Sequence, residues 1–455
     1  MTSTLPQQLV DLLGAEAVLP SEKLSEYAVD GLVPQAVVQP TDRKAISQVL
    51  KWASAEGKSV SARGGGTKLA LGNTPKRLDL VLDLSRYRKV LDYQPADLTV
   101  TVEAGIPLAA LQQELARGGK FVALESPRAQ QATIGGILAT AASGPLRFTY
   151  GLARDWLIGI SVIGPGGVET KAGGRVVKNV TGYDLNKLYT GSLGTLGVIV
   201  EATFKLSPLP AAFRALIAAF PSVPEGIEAS RVMLSQVSAP QGVQVVNAPV
   251  LPRLDLPEDS QAPALAIAFF AGRPRGVERR LEESTRLLLD KGANRVQRLE
   301  ESAGNSLRQS VTDLGWSPDT APLLGIKVNL PPTEVGKLSA SLAEQDIPVG
   351  ARGIVADVGF GTTQLLWWPD QYLLDATTGA GVEPGESPII GAIEQVRELV
   401  GGLGGSVVVD HCPLQVKRQI DVWGQAAASM EIMRRIKGNF DPQGVLNPGR
   451  FMGGL

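Results

Sequence analysis

The chain has 455 residues, 44% of them hydrophobic and 20% charged, with a formal net charge of −1, which is long enough for two or more cored domains and carries no basic footprint for nucleic acid. One cysteine, Cys412, excludes an internal disulfide and fits a reducing compartment, and one histidine, His411, excludes zinc sites built on several imidazoles. No 18-residue apolar run predicts a membrane span, and the opening MTSTLPQQLVDLLGAEAVL lacks the basic region and cleavage site of a secretory signal, so a cytoplasmic protein is expected.

Leu5, Leu9, Leu12 and Leu13 fall at helical spacing. Residues 35–39, bracketed by Pro34 and Pro40, read as a short strand. Thr41-Asp42 starts a helix carrying Ile46, Val49, Leu50 and Ala53, and Gly57 ends it. A strand at 59–62 runs into Arg63-Gly64-Gly65-Gly66-Thr67. Strands are predicted at 78–84 and 98–104, then a helix with Pro107 in its first turn and Leu108, Leu111 and Leu115 inward. Thr133-Ile134-Gly135-Gly136 opens a small-residue run, Ala139-Thr140-Ala141-Ala142-Ser143-Gly144. A strand at 157–163, a short helix at 181–188, an open turn at Gly191, Gly194 and Gly197, and a strand at 198–206 follow, and 207–210 marks a boundary. Beyond it, strands at 264–270, 323–330, 355–360 and 406–409 alternate with helical runs at 277–291 and 389–400. Together they predict an α+β second domain with an antiparallel sheet. Residues 252–263 and 378–388 read as surface loops. A helix over 416–437 precedes the rigid tail, which ends in Asn447-Pro448-Gly449-Arg450.

The chemistry concentrates in the glycine clusters. Neither Gly-x-Gly-x-x-Gly nor a Walker A motif occurs. Small residues let a ligand approach the backbone, and open N–H groups at a turn or a helix start suit a diphosphate. Two such cradles, at 63–67 and 133–144, predict a large dinucleotide gripped at more than one place. Gly197 to Ile199 adds backbone contacts for an adenine or ribose. The plainer alternatives are an ordinary loop at 63–67 and close helix packing at 139–142. With so few side-chain bases, a cofactor that brings its own chemistry is favoured.

Arg63 to Thr67, Thr133 to Gly144, Tyr150-Gly151, Lys178 to Leu188, the 191–197 turn and Leu446-Asn447-Pro448-Gly449 occur in an order that resembles the FAD-linked oxidase superfamily, the vanillyl-alcohol oxidase or PCMH type. Within it the likeness is greatest to the glycolate oxidase (glycolate dehydrogenase) flavin subunits and D-lactate dehydrogenases, with Lys178 to Leu185 especially similar to the former. The His-Ala-Gly-Asp-Gly-Asn-type cap segment of the D subunit is missing, which makes the chain more similar to the smaller E subunit. The resemblance implies an α+β fold: an N-terminal helical segment (1–29), a two-lobed FAD-binding domain (30–210), a cap (211–438) and a C-terminal tail returning to the FAD domain (439–455). Thr67 and Lys68 stand where covalent members carry a flavin-linking histidine, so the FAD is expected to be non-covalent.

The site residues implied for the cofactor are Arg63, Gly64, Gly65, Gly66, Thr67, Pro127, Thr133, Gly135, Gly136, Ser143, Gly144, Tyr150, Gly151, Gly197 and Ile199. His411 is the one candidate base for a 2-hydroxy acid, against a structural role. Lys327, Arg352, Lys417 and Arg450 are unranked candidates for the substrate carboxylate. Trp367-Trp368 is read as core packing ahead of a pocket wall. The implied partners are a small 2-hydroxy acid, a second flavin subunit and an iron–sulfur subunit, with attachment to the inner face of a membrane left open. The stated alternatives are a self-contained D-lactate or other 2-hydroxy-acid dehydrogenase and a flavin-holding subunit without substrate chemistry of its own.

Overall fold

A computed structural model describes residues 4–174, 183–236, 240–344, 351–368, 387–425 and 428–455. The chain forms two compact units, one of residues 1–143, 152–209 and 425–455, the other of 144–151 and 210–424.

The first unit has two lobes. In one, β1 (Ala36–Val38), β2 (Val60–Arg63) and β3 (Leu80–Asp83) form a parallel sheet in the order β1-β3-β2. The helix Arg43–Ala55 crosses over from β1 to β2; Asp42 caps its N-terminus by accepting from the Ala45 N–H, and Ile46, Val49, Leu50 and Ala53 are its buried face. In the other lobe, β4 (Val90–Gln94), β5 (Thr99–Glu103), β7 (Leu157–Ile163), β8 (Glu169–Gly173) and β9 (Val198–Lys205) form an antiparallel sheet in the order β4-β5-β9-β7-β8. The helices Leu108–Ala116 and Ile134–Thr140 bury Leu111, Leu115, Ile134, Ile137 and Leu138 in that lobe's core. Strands β6 (Lys120–Phe121) and β10 (Ser207–Pro208) make a small separate pair.

The second unit is built on an eight-stranded antiparallel sheet. Its strands are β11 (Ala212–Phe220), β12 (Gly242–Asn247), β13 (Ala264–Gly272), β14 (Arg295–Leu299), β15 (Leu324–Asn329), β16 (Arg352–Asp357), β17 (Thr362–Trp367) and β18 (Ser406–His411), in the order β14-β11-β13-β12-β16-β17-β15-β18. The apolar run of β13 reflects burial on both faces: Ala264, Ala266, Ala268 and Phe270 enter one core, and Leu265, Ile267, Phe269 and Ala271 the other. This is the expected α+β architecture with an antiparallel second sheet.

Several local expectations differ from the structure. The helix expected over 416–437 is two, Leu414–Lys417 and Met430–Phe440. A turn separates them, with Gly424 at φ +88° and its N–H on Asp421 O. The strand expected at 355–360 is the end of β16 and most of the turn that leads into β17. Helix Met430–Phe440 lies in the first unit, so the return there begins at 425, ahead of the expected 439. The reason is local: Lys437 Nζ donates to Thr195 O at 2.8 Å and Leu446 O at 3.0 Å, and Ile436 and Phe440 pack on that unit's core. Residues 144–151, expected in the FAD domain, belong to the second unit. There the Arg147 Nε–Asp357 ion pair measures 2.8 Å, and Gln241 donates to the Tyr150 hydroxyl at 2.7 Å. Of the expected helix at 181–188, Leu185–Tyr189 is helical; Lys178, Thr181 and Gly182 lie outside the described residues, as does most of 378–388.

Candidate functional site

The parallel lobe delivers the first glycine cluster. β2 ends at Arg63, whose carbonyl accepts from the Leu84 N–H, and the chain then leaves the sheet. Glycine is required next because a second segment approaches. A Cβ on Gly64 would lie 1.9 Å from Thr133 Oγ1, and one on Gly65 would lie 1.8 Å from the Gln131 carbonyl oxygen. The two clusters, about 70 residues apart in sequence, therefore meet. Among the described residues, the N–H groups of Gly64, Gly65, Gly66 and Thr67 donate to no protein acceptor. Four consecutive open donors, each partly exposed, are free to bind an anionic acceptor from outside the chain.

The second cluster works differently from expectation. The Ile134 N–H donates to Ile106 O at 3.0 Å, Gly135 N–H to Ala104 O at 2.7 Å, and Gly136 N–H faces the Thr133 hydroxyl at 3.3 Å. These amides are spent on the protein, so the start of helix Ile134–Thr140 supplies a wall and not a second anion cradle.

The two clusters line an open cleft. Arg63, Gly64, Gly65, Gly66, Thr67, Thr133 and Gly136 all face it. A second hollow shares Arg63, Gly64, Thr133 and Gly136, and adds Gly135, Gly197 and Ile199. Of the remaining predicted residues, Pro127 is buried while its neighbour Ser126 lines the cleft, and Ser143 lines neither space. Gly144, Tyr150, Gly151 and His411 belong to the second unit. There the His411 ring packs 4.3 Å from that of Trp316 and against Gly325. Trp367 is fully buried in the second unit's core, and Trp368 donates its indole N–H to Thr320 O.

Residues outside the predicted cofactor set complete the cleft: Ser61, Leu69, Leu71, Leu193, Asn447 and Arg450. The tail motif Asn447-Pro448-Gly449-Arg450 was the available signal for two of them. Leu446 bridges Val60 in parallel, so the tail extends the sheet beside β2. Arg450, a candidate anchor for a substrate carboxylate, is committed elsewhere. It pairs with Asp30 at 2.8 Å and donates to the carbonyls of Asn73, Leu69 and Leu71. Its burial lowers its pKa from the usual guanidinium range, opposed by Asp30. Arg63 donates to Glu26 O at 2.9 Å and lies 4.1 Å over the Tyr27 ring. Burial first, then the hydrogen bond to Asp83, pushes the Tyr27 hydroxyl up to about 12. Among the described residues, no group of three or more His, Cys, Asp or Glu is arranged to hold a metal, and no helix is long and apolar enough to cross a membrane.

An FAD binding domain model matches residues 34–173, and an FAD linked oxidases, C-terminal domain model matches 385–451. Glycolate oxidase subunit GlcD of Bacillus subtilis is 26% identical over 99% of this chain and 97% of that protein. Glycolate oxidase subunit GlcE of Escherichia coli is 38% identical over 132 residues, 29% of this chain and 38% of that protein. The structure of p-cresol methylhydroxylase with substrate bound superposes with a TM-score of 0.73 at 15% identity, covering 98% of this chain and 95% of that one, which establishes a shared PCMH-type fold. Four open amides on a glycine loop facing an open cleft suit an FAD diphosphate, and the matches to an FAD binding domain and to the C-terminal domain of FAD linked oxidases support an oxidoreductase with FAD as its cofactor.

Proposed function

We propose that the chain is the FAD-holding subunit of a 2-hydroxy-acid dehydrogenase of the glycolate oxidase type. The observation that carries this reading is the loop of open amides at Gly64 to Thr67, in a chain similar along almost its whole length to a glycolate oxidase subunit. Gly64 to Thr67 would receive the diphosphate through their N–H groups. Thr133, Gly136 and Ala139 would wall the cofactor, and Gly197 to Ile199 would border its smaller hollow. When bound, FAD supplies the two-electron acceptor that turns a 2-hydroxy acid into a 2-oxo acid. Thr67 and Lys68, after the three glycines, form no flavin linkage, and Cys412 lies far downstream, so the cofactor would be held without a covalent bond. Electrons would leave to an iron–sulfur partner, because one cysteine cannot ligate a cluster within this chain.

Two measurements test this. Acid treatment of purified protein should release all the yellow chromophore; flavin that stays with the precipitate would overturn the non-covalent reading. Anaerobic mixing with glycolate or D-lactate should bleach the flavin band if the chain oxidises its substrate unaided. If both acids fail with the isolated chain but glycolate succeeds once the partner subunits are added, the chain works only within a complex. If bleaching fails in every combination, the 2-hydroxy-acid assignment falls.

A further inference from the structure

We infer that Asn447 is a positioning residue for the cofactor cleft: its side-chain amide holds the strand that carries the open-amide loop and the 191–194 loop at a fixed separation. The inference rests on the cleft being the flavin site. Asn447 Oδ1 accepts from Ser61 Oγ at 3.0 Å, Nδ2 donates to Leu193 O at 2.6 Å, and the Asn447 N–H donates to Val60 O at 2.9 Å. Ser61 lies on β2, two residues before Arg63. Leu193 is tied in turn to the opposite wall: its N–H donates to Ala139 O at 2.8 Å, and the Gly191 N–H donates to Leu138 O at 2.8 Å. A continuous hydrogen-bonded path therefore runs from the glycine strand through Asn447 and the 191–194 loop to helix Ile134–Thr140. Ser61, Leu193, Ala139 and Asn447 all line the cleft.

The chemistry of the position selects asparagine. The bridge needs an acceptor toward Ser61 and a donor toward Leu193 on one short planar group. It also needs a backbone at φ +46°, which asparagine tolerates better than most residues. Aspartate would set a carboxylate oxygen against the Leu193 carbonyl. Glycine would keep the backbone and delete the bridge. The tail does not depend on this side chain for its docking. Asp441 accepts from Lys437 and from the Val445 and Leu446 N–H groups, Pro448 O accepts from the Lys76 N–H, and Arg450 pairs with Asp30. What the side chain adds is the link across the cleft.

The test compares FAD dissociation constants of apoproteins by fluorescence titration for wild type, Asn447→Gly, Asn447→Asp, Ser61→Ala and Leu115→Ala. Leu115 is fully buried in the antiparallel lobe and does not line the cleft. Asn447→Gly should weaken FAD by about tenfold or more, and Asn447→Asp further, since it also brings negative charge toward a diphosphate. Leu115→Ala should lower the melting temperature yet bind FAD within about twofold of wild type. Ser61→Ala, which breaks one end of the bridge, should weaken FAD by about threefold, and it carries the test if the Asn447 variants do not fold. Wild-type affinity in Asn447→Gly or Ser61→Ala, or a loss no greater than in Leu115→Ala, overturns the inference. A failure of the cleft assignment itself shows separately, as full FAD binding by Gly136→Leu.

Discussion

Gly136→Leu separates occupancy of the cleft from integrity of the fold. Gly136 lines both hollows, and a Cβ there would meet only the Thr133 hydroxyl, at 3.2 Å. The position is helical, and replacing glycine there removes a handicap of about 0.5–1 kcal/mol, but the new Cβ crowds the capping hydroxyl of Thr133, which must shift by a few tenths of an ångström and offsets that gain. The apoprotein should therefore melt close to the wild-type temperature. The added isobutyl group enters space assigned to FAD, so the holo-specific stabilisation should vanish. At a ligand concentration of about 100 times Kd that stabilisation is about 2.7 kcal/mol. At about 2–4 °C per kcal/mol for a domain of roughly 200 residues, it corresponds to a rise of about 5–11 °C. Thermal melts with and without added FAD, together with flavin content after purification, read both quantities. A variant that retains stoichiometric flavin and the full FAD-dependent rise would refute the placement of this wall at the cofactor.

The other predictions use different parts of the molecule. Gly65→Ala drives a Cβ into the Gln131 carbonyl at 1.8 Å, so the two loops must part; the apoprotein should lose about 1–3 kcal/mol, and an unchanged apo melting temperature would contradict the close approach. Arg147→Ala leaves the fully buried Asp357 without its cation. Denaturant unfolding of the second unit should show a loss of about 3–5 kcal/mol, partly recovered by adding Asp357→Asn, and a cost under about 1 kcal/mol would mean the pair is solvated. Tyr27 has its pKa raised from 10.0 to about 12. A raised folded-state pKa gives stabilisation that is complete below pH 10 and lost as pH climbs through 12. Melting temperatures of wild type and Tyr27→Phe should therefore converge over that alkaline window, and parallel curves would refute the assignment.

Much of the fold was legible because its signals are local. The helix Arg43–Ala55 declared itself by its cap and its i, i+3, i+4, i+7 apolar face, and β13 by a run of apolar residues too short for a helix and buried on both sides. The break at Asp421 to Gly424 was missed because the helical pattern of 416–437 continues across it. The break is set by a left-handed glycine and a turn hydrogen bond that periodicity does not report. The strand expected at 355–360 ran past the end of β16 because the turn into β17, Val358 to Gly361, is still apolar in part.

For the candidate site, the amino-acid sequence alone pointed to the segments the structure brings together, glycine at 64–66 and 135–136, and to an ordered set of motifs that resembles the FAD-linked oxidases. It also determined what the chain lacks, namely the cysteines for a cluster and the histidines for a multi-imidazole metal centre. Only the tertiary structure decided which amides are open. Among the described residues, the N–H groups of Gly64 to Thr67 meet no protein acceptor, whereas those of Ile134 and Gly135 are consumed by carbonyls near residue 105. It likewise placed Asn447 and Arg450 on the cleft and assigned 144–151 to the second unit. The physical reason is that glycine makes a backbone approachable, a property of one residue, while the availability of a donor depends on every acceptor that folding brings within reach, a property of the whole chain.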